Sequence, residues 1–380
     1  MKSTFGQLPS KARTGWAGQR SGPGVSPNKT GWGGVRMGLF LVAALASCTK
    51  DEPPPAAKPA ATVAAAPAAS SAPAPTPAAG PPLRIAFSDW PGWTAFEIGI
   101  QKGWFKEAGV DVVFSWFDYL PSMEAFSSGK VDAVMVTNGD ALVTGANGSK
   151  SKMILLTDYS EGNDKIIARP GTNSIQELKG KKVGLELTLV EHLLLLKALE
   201  KAQMKPSDVQ LVNFATNETP QALTSGQVAA IAAWYPISSQ ALKASPGSKV
   251  LFSSADVPGL IYDAVTVNPT SLSRRKADWE KVVKVWYRIA DFVRDPKTQG
   301  EAAAIMAAKV GVKPEEYAAA IPGTHFFSVT EAKKHFEKGT GLDSVYGSSK
   351  VADDFNVANK VYKEAQPVDD YLYPDFVNAL

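Results

Sequence analysis

Short apolar runs alternate with helix-like segments along most of the chain after residue 82. Runs rich in valine, isoleucine, leucine and alanine predict buried strands at 83–87, 110–117, 131–136, 153–156, 165–168, 183–187, 209–214, 228–233, 249–252 and 262–267. Helical segments between many of these strands imply right-handed crossovers and mostly parallel sheets, which is an α/β fold class. From residue 273 onward the pattern is helical, and Trp279 and Trp286 are predicted core residues because they share one face at helical spacing.

One strand and its flanking residues occur twice in the sequence. Residues 125–134 (AFSSGKVDAV) align without gaps with residues 222–231 (ALTSGQVAAI). The first copy ends at a predicted polar loop and the second at an aromatic pair, namely Thr137, Asn138, Gly139 and Asp140 against Trp234 and Tyr235. The repeat predicts two similar lobes that direct these strand ends at a shared cleft.

The first 82 residues have a different pattern. Residues 1–47 carry six bases and no acid, and they include a leucine- and alanine-rich run of about ten residues, which is too short to span a bilayer but typical of a signal-peptide core. The run ends in Leu-Ala-Ser-Cys48, which resembles a bacterial lipobox. We therefore predict a signal peptide over 1–47, lipidation at Cys48, and a Pro/Ala-rich disordered tether over 48–82.

Composition excludes several classes of function. The 40 basic residues less the six in the leader leave 34 against 37 acids, so the chain from Cys48 onward has a net charge of −3, which does not favour a nucleic-acid partner. Cys48 is the only cysteine, and His192, His325 and His335 lie far apart in sequence, so no disulfide, metal site or cofactor is predicted. The sequence also lacks the Ser-His-Asp order and the nucleophile turn of a hydrolase.

Five short motifs stand in the order and spacing of one known family: GWFKEAGVDV (103–112), SGKVDA (128–133), LKGKKV (178–183), SGQV (225–228) and WYP (234–236). The region from 83 to 380 thereby resembles the solute-binding proteins of nitrate, sulfonate, taurine and thiamine-precursor ABC importers. The resemblance implies a type II two-lobe periplasmic-binding-protein fold with the ligand cleft between the lobes. It places lobe 1 at 83–165 and 268–380, lobe 2 at 168–262, and the crossing strands near 165–168 and 264–267.

The resemblance also implies a function. The protein would be a monomeric lipoprotein in the periplasm or on the cell surface that passes a small molecule to an ABC permease and ATPase complex, without catalysis. Two alternatives of another class remain on the same scaffold, a ligand-sensing subunit and a lyase. Pyrimidine-precursor synthases of similar fold use a cysteine-rich iron site and a histidine, so the single cysteine of this chain disfavours that enzyme.

Ligands of open α/β sheets bind at the carboxyl ends of strands. This rule selects five loops, at 88–94, 137–140, 158–164, 186–191 and 234–236, and Asp263 lies just before the crossing strand at 264–267. The candidate ligand-binding residues are Trp90, Trp93, Thr94, Asn138, Asp140, Asp158, Asp164, Glu186, Thr188, Trp234, Tyr235 and Asp263.

The residue types in these loops indicate the charge of the ligand. No arginine lies among them, whereas anion sites commonly use arginine or helix N-termini. Aromatic faces and carboxylates suit a neutral or cationic nitrogen compound, such as a pyrimidine, an amine or a urea- or guanidine-like molecule. A sulfonate, taurine or nitrate receptor is the alternative.

Structural roles stay open for several candidates. They are core packing for Trp93, turn capping for Asp158 and Asp164, and a hinge salt bridge for Asp263. Thr188 is predicted to begin a helix as its N-cap, in a capping box with Glu191.

Overall fold

The structure of the protein is a computed structural model that describes residues 80–380. The predicted signal peptide, the predicted lipidation site Cys48 and nearly all of the predicted tether lie outside the described residues. None of the helices within residues 80–380 combines the length and the apolar character needed to cross a bilayer.

Eleven strands lie in the described part of the chain, and they form two sheets. In chain order they are β1 (Leu83–Phe87), β2 (Val112–Trp116), β3 (Ala133–Thr137), β4 (Lys152–Ser160), β5 (Lys165–Ala168), β6 (Lys182–Leu185), β7 (Gln210–Asn213), β8 (Ala230–Ala233), β9 (Lys249–Ser253), β10 (Tyr262–Val267) and β11 (Thr324–Phe326). Every residue of β3, β8 and β10 is buried, which explains why these strands appear in the sequence as continuous apolar runs.

Helices, many of them short, connect and cover the two sheets. In chain order the α-helices of residues 80–380 are α1 (Pro91–Thr94), α2 (Phe96–Gln101), α3 (Trp104–Glu107), α4 (Tyr119–Ser127), α5 (Asn138–Ala146), α6 (Val190–Lys201), α7 (Thr219–Thr224), α8 (Ile237–Ala244), α9 (Pro269–Arg274), α10 (Lys276–Arg294), α11 (Gln299–Val310), α12 (Pro314–Ala320), α13 (Val329–His335), α14 (Val345–Ala358) and α15 (Asp375–Asn378). Trp279 and Trp286 of α10 are fully buried, which confirms their predicted place in the core. The ring of Trp286 stacks on Phe96 of α2, with the two centroids 4.7 Å apart.

The two sheets share one plan. The strand order is β11-β4-β10-β3-β1-β2 in the first sheet and β7-β6-β8-β5-β9 in the second. In each sheet a parallel trio, β2-β1-β3 or β7-β6-β8, is followed by one antiparallel strand, β10 or β5. The predicted α/β class is confirmed. Both sheets are mixed, because further antiparallel pairs extend each sheet beyond its parallel trio, namely β10–β4 and β4–β11 in the first sheet and β5–β9 in the second.

The repeated sequence occupies equivalent places in the two sheets. β3 lies between β1 and β10, and β8 lies between β6 and β5. Each of the two strands therefore has a parallel neighbour on one side and an antiparallel neighbour on the other. The same buried, doubly paired position explains why the two copies carry the same small and β-branched residues.

The chain passes between the sheets twice. It leaves β4 of the first sheet and reaches β5 of the second through residues 161–164. It returns from β9 to β10 through residues 254–261. Each connection leads into an antiparallel strand. Residues 161–164 lead into β5, which pairs with β8 and β9, and residues 254–261 lead into β10, which pairs with β3 and β4.

The predicted polar loop after β3 is wrong, because α5 begins directly at Asn138. The Thr137 side chain caps this helix by accepting a hydrogen bond from the backbone N–H of Asp140. Two glycines concealed the helix in the sequence pattern, since glycine has a low helix propensity. One of them, Gly145, is required by packing, because an added Cβ would lie 1.9 Å from the Tyr371 hydroxyl.

Candidate functional site

A small cavity lies between the segments that follow β1 and β8, and both sheets contribute to its walls. Trp90, Trp93 and Asp263 approach it from the first sheet, and Asp164 and Trp234 approach it from the second. The cavity volume is about 10 Å³, so the cavity holds little more than a water-sized group.

Two carboxyl groups stand side by side at this inner cavity. Asp158 of β4 and Asp263 of β10 are register partners, and both are fully buried. Asp158 Oδ1 accepts a hydrogen bond of 2.9 Å from Trp90 Nε1, and the protonated Asp263 donates a hydrogen bond to the carboxylate of Asp158. Burial and the charge of Asp164 raise the pKa of Asp158 to about 7, and burial and its acidic neighbours raise the pKa of Asp263 well above its usual range.

A second pair of acids approaches from the other sheet. Asp164 immediately precedes β5, and Glu191 lies in the first turn of α6. The two acids pair with one another, because the protonated Glu191 donates a hydrogen bond to the carboxylate of Asp164. Burial raises the pKa of Asp164 to about 6, and burial with the charge of Asp164 raises the pKa of Glu191 well above its usual range. Lys165 is the base whose charge acts on both acids, and burial lowers its own pKa.

Aromatic rings form one wall of the inner cavity. Trp93 stacks on Tyr119 with the centroids 5.5 Å apart, and Trp234 meets the edge of Tyr119 at 5.2 Å. Trp234 Nε1 also donates a 2.8 Å hydrogen bond to Asp89 Oδ1. Because Tyr119 belongs to α4 beside the first sheet and Trp234 follows β8 of the second, this contact joins the two halves of the molecule.

Asp140 forms another link between the halves. Its Oδ2 accepts a 2.7 Å hydrogen bond from the Tyr119 hydroxyl and a 3.3 Å hydrogen bond from the backbone N–H of Val190, the first residue of α6. A helix N-terminus and two donors favour the ionised form. Burial outweighs them, however, and raises the pKa of Asp140 to about 7.

A larger chamber lies on the other side of Tyr119 and Trp234. This outer chamber has a volume of about 260 Å³, and its walls include Asp89, Asp118 and Glu186. Glu186 accepts a 2.9 Å hydrogen bond from the hydroxyl of a neighbouring threonine, and burial raises the pKa of Glu186. The described residues that line the chamber include no lysine, arginine or histidine. Both compartments are therefore acidic and aromatic.

A comparison with family models identifies the family of the chain. The model of the family described as NMT1/THI5 like matches residues 90–297. This range holds 208 of the 380 residues, which is more than half of the chain. The chain belongs to the NMT1/THI5-like family.

Curated relatives of this NMT1/THI5-like protein come from Brucella. A protein of Brucella abortus (strain 2308), provisionally named a binding protein, is 30% identical over 177 residues, which is 46% of this chain and 54% of the relative. A protein of Brucella suis biovar 1 (strain 1330) with a similar provisional name matches to the same extent. The match spans about half the length of these relatives.

Solved structures share the fold. The alkanesulfonate-binding protein SsuA from Xanthomonas axonopodis pv. citri bound to MOPS is 17% identical with a TM-score of 0.64, and the match covers 78% of this chain and 100% of that one. The periplasmic aliphatic sulphonate binding protein SsuA from Escherichia coli is 18% identical with a TM-score of 0.65, over 79% and 100% of the two chains. The desulfurization enzyme DSZB is 14% identical with a TM-score of 0.55, over 78% and 98%. At these identities the likeness shows the fold alone, and it confirms the predicted periplasmic-binding-protein fold.

In this NMT1/THI5-like chain, many candidate residues come together around the two compartments. The inner cavity is lined by Trp90, Trp93, Asp164, Trp234 and Asp263, and Glu186 lines the outer chamber. Asp158 and Asp140 hold two of the lining side chains through the hydrogen bonds described above. A role of these residues in ligand binding stays a prediction.

Three other candidates make contacts away from both compartments. The hydroxyl oxygens of Thr94 and Tyr317 lie 2.6 Å apart, and the ring of Tyr235 packs edge-on against Tyr317. Asn138 Nδ2 donates hydrogen bonds to two serine hydroxyls of α14, and Asn138 Oδ1 accepts a hydrogen bond from the backbone N–H of Tyr262. These side chains hold the segments around the site together.

The predicted capping box at the start of α6 is wrong. Leu189 occupies the N-cap position, and no side chain caps the helix there. Thr188 instead has a positive φ of 69°, and its backbone N–H donates to His192 Nδ1. Glu191 is consequently available to the buried acidic group, because its carboxylate does not bond to the backbone of the turn.

Sequence reasoning missed three residues of the site. Tyr119 follows the carboxyl end of β2, so the strand-end rule would have selected it had that loop been included. Asp89 lies inside a selected loop but was not chosen beside its tryptophans. Glu191 was assigned to helix capping, which concealed its place among the buried acids.

Proposed function

We propose that this protein is an extracytoplasmic solute-binding protein that holds a small cationic nitrogen compound between two lobes. Lobe 1 would comprise residues 83–165 and 268–380, and lobe 2 would comprise residues 168–262. Family membership and the fold shared with SsuA support the class of function. The buried acids support the charge of the ligand.

The observation that carries the proposal is a group of four buried acids. Asp158, Asp164, Glu191 and Asp263 are all buried, and burial raises the pKa of each. A second negative charge in either pair would be repelled by the first. A cationic ligand offsets this repulsion, and an ammonium group brings three N–H donors together with its positive charge.

A sulfonate, taurine or nitrate ligand fits this arrangement less well. No lysine or arginine is among the described residues that line the inner cavity. An anion would therefore require several carboxyl groups to stay protonated beside it. The faces of Trp90, Trp93 and Trp234 instead attract cations, because aromatic rings carry negative charge on their faces.

An enzyme is the second candidate function, because the desulfurization enzyme DSZB shares the fold. The specific observation in its favour is the adjacent pair Asp158 and Asp263, whose raised pKa values suit proton transfer near neutral pH. Mass spectrometry of the ligand after incubation separates the two functions. We expect the ligand to be recovered unchanged, and a product would favour a lyase. A ligand-sensing subunit would also return the ligand unchanged, but its gene would neighbour a kinase gene rather than permease and ATPase genes.

A thermal-shift screen of the full chain tests the ligand class. Suitable probes are 1-aminobutane, guanidine, 4-aminopyrimidine, urea, taurine and nitrate, because a ligand that binds only the folded state raises the unfolding midpoint. We expect stabilisation by the nitrogen bases and its loss in Asp263→Asn. The matched control is Asp132→Asn. Asp132 does not line the cavity, and its Oδ1 atom lies 3.0 Å from Nη2 of Arg84. Stabilisation by taurine or nitrate alone would contradict the proposed charge.

We further propose that the protein is anchored through a lipid on Cys48 and delivers its ligand to an ABC permease and ATPase complex. The lipobox-like sequence before Cys48 and the Pro/Ala-rich segment after it support the anchor. In the cell of origin, Cys48→Ser should move the protein from the membrane fraction to the soluble fraction. A variant that remains in the membrane fraction would argue against lipidation.

A further inference from the structure

We propose that the outer chamber is a second cation-binding subsite, and that the preferred solute carries two basic groups joined by a short flexible chain. This inference rests on the proposed function and extends it to the second half of the ligand. In the bound state one basic group would lie at Asp263 in the inner cavity, and the other would lie at Glu186 in the outer chamber.

The charge of the outer chamber favours a cationic occupant. Asp89, Asp118 and Glu186 line it together, and no basic side chain is among the described residues that accompany them. The carboxyl groups of Asp118 and Glu186 lie close enough to act on Asp89, where burial raises the pKa to about 6 and these two charges add to the effect. A cation placed among the three would remove their mutual repulsion.

A buried hydroxyl with no hydrogen-bond partner among the described residues lines the outer chamber. Ser88 lines the outer chamber and is only 2% exposed. Its Oγ atom has no partner within residues 80–380. Buried hydroxyl groups are normally paired, and leaving one unpaired costs about 1–3 kcal/mol. An N–H donor in the chamber would pair with it, so this hydroxyl indicates a polar occupant independently of the acids.

The two compartments differ in size. The inner cavity holds little more than a water-sized group, so it accommodates an ammonium group but not the body of an organic solute. The outer chamber, at about 260 Å³, has room for the remainder of a small solute. A solute that uses the buried acids must therefore extend from the inner cavity into the chamber.

Tyr119 and Trp234 form the partition through which the chain of the solute would pass. Both residues line both compartments, and the centroids of their rings lie 5.2 Å apart in an edge-to-face contact. They come from opposite halves of the molecule, so separation of the halves parts the rings and closure brings them onto the solute. Aromatic side chains pack well against methylene groups, which makes this partition suitable for an alkyl linker.

An acidic entrance that only attracts cations would show some of the same features. Such an entrance speeds association with any cation but gives no preference for a second basic group at equilibrium. A subsite, in contrast, adds affinity for that group. Equilibrium affinities of a monoamine and a diamine of the same length therefore distinguish the two possibilities.

The test is isothermal titration calorimetry of the full chain with 1-aminobutane and 1,4-diaminobutane. We expect the diamine to bind at least tenfold more tightly. Glu186→Gln keeps an acceptor for its threonine neighbour but loses the charge, so it should weaken diamine binding at least fivefold more than monoamine binding. Asp118→Asn serves as a second chamber variant if Glu186→Gln does not fold. Glu124→Gln is the control, because Glu124 is an exposed acid of α4 and should leave the ratio of the two affinities unchanged.

The outcomes separate this inference from the proposed function. Equal affinities for the two amines, or an equal effect of the chamber variants on both, would overturn the second subsite and leave the cationic inner site intact. If neither amine binds, both proposals fail. A diamine preference that disappears in Glu186→Gln or Asp118→Asn, but not in Glu124→Gln, would support the subsite.

Discussion

The substitution Asp140→Asn should stabilise the ligand-free protein at alkaline pH. Asp140 is 3% exposed and accepts hydrogen bonds from the Tyr119 hydroxyl and the Val190 N–H. An asparagine side chain has nearly the same shape and keeps one acceptor oxygen. The substitution therefore removes the ionisation of this group with little change in packing.

The size of the effect follows from the pKa of Asp140. Burial raises this pKa from 3.8 to about 7, and since one pKa unit corresponds to 1.36 kcal/mol, keeping the ionised group in the folded chain costs about 4 kcal/mol. The folded state holds the proton more tightly than the unfolded chain does. The stabilisation from this group is thus complete below pH 4 and is lost as the pH rises through 7. Between pH 5 and pH 8 the loss amounts to about 3 kcal/mol.

Urea unfolding of the ligand-free full chain, followed by tryptophan fluorescence at pH 5, 6, 7 and 8, measures this loss. Asp140→Asn should lose about 3 kcal/mol less than the wild type between pH 5 and pH 8, with an unchanged denaturant slope. Asp132→Asn is the control with the opposite sign. Burial raises the pKa of Asp132, but the hydrogen bonds and charge of the Arg84 guanidinium outweigh burial and lower it. The variant Asp132→Asn should therefore be no more stable than the wild type at pH 8.

Two results would refute the reasoning. If the wild type and Asp140→Asn lose equal stability between pH 5 and pH 8, Asp140 does not retain its proton at neutral pH. If the variant is less stable at every pH, the carboxylate is a structural acceptor that asparagine does not replace. Either result would show that the raised pKa of Asp140 does not control the pH dependence of stability.

Three further outcomes are expected. Binding of 1-aminobutane at pH 7 should release protons from Asp158 and Asp263, because a cation favours their ionised forms. Calorimetry in two buffers of different ionisation enthalpy should therefore give different apparent binding enthalpies. Equal binding enthalpies in the two buffers would contradict this proton release. Trp234→Ala should weaken amine binding about tenfold, as expected for a desolvated cation–π contact, and an unchanged Kd in equilibrium titration would exclude that contact. Gly92→Ala should destabilise the fold by about 1–3 kcal/mol in urea unfolding and weaken amine binding, because its Cβ would lie 1.7 Å from Asp158 Oδ2. Gly300→Ala is the matched control, since a Cβ there meets nothing within 4 Å, and a similar loss in both variants would rule out the contact with Asp158 as the cause.

The strands that were predicted well have a common property. β1 and β10 have the predicted bounds, and buried apolar residues make up most of both strands. α8 and β11 were not predicted. α8 (ISSQALKA) has few large apolar side chains, and β11 has only three residues, which pair with the distant strand β4. Local pattern identifies an element when its own residues account for its burial, and it fails when a remote segment provides the pairing.

The site shows the same division. The strand-end rule selected Trp90, Asp164 and Trp234 because the carboxyl ends of the strands of each sheet face the cleft. It did not show that Asp158 and Asp263 are register partners, since that contact depends on the antiparallel pairing of β4 with β10. It also selected Asn138, whose side chain turns toward α14, because the start of α5 was not recognised.

Composition and local pattern were sufficient for the α/β class, the repeated strand of the two sheets and the aromatic and acidic candidate residues, because hydrophobic period, turn residues and internal repetition are local properties of the chain. The two compartments, the Tyr119–Trp234 partition and the raised pKa values emerged only in three dimensions. Desolvation of a carboxyl group depends on what surrounds it on every side, and the surroundings of Asp140 come from α4 and α6, which are remote in sequence from one another. The number of acids near the cleft was therefore a property of the sequence, whereas their protonation was decided by tertiary packing.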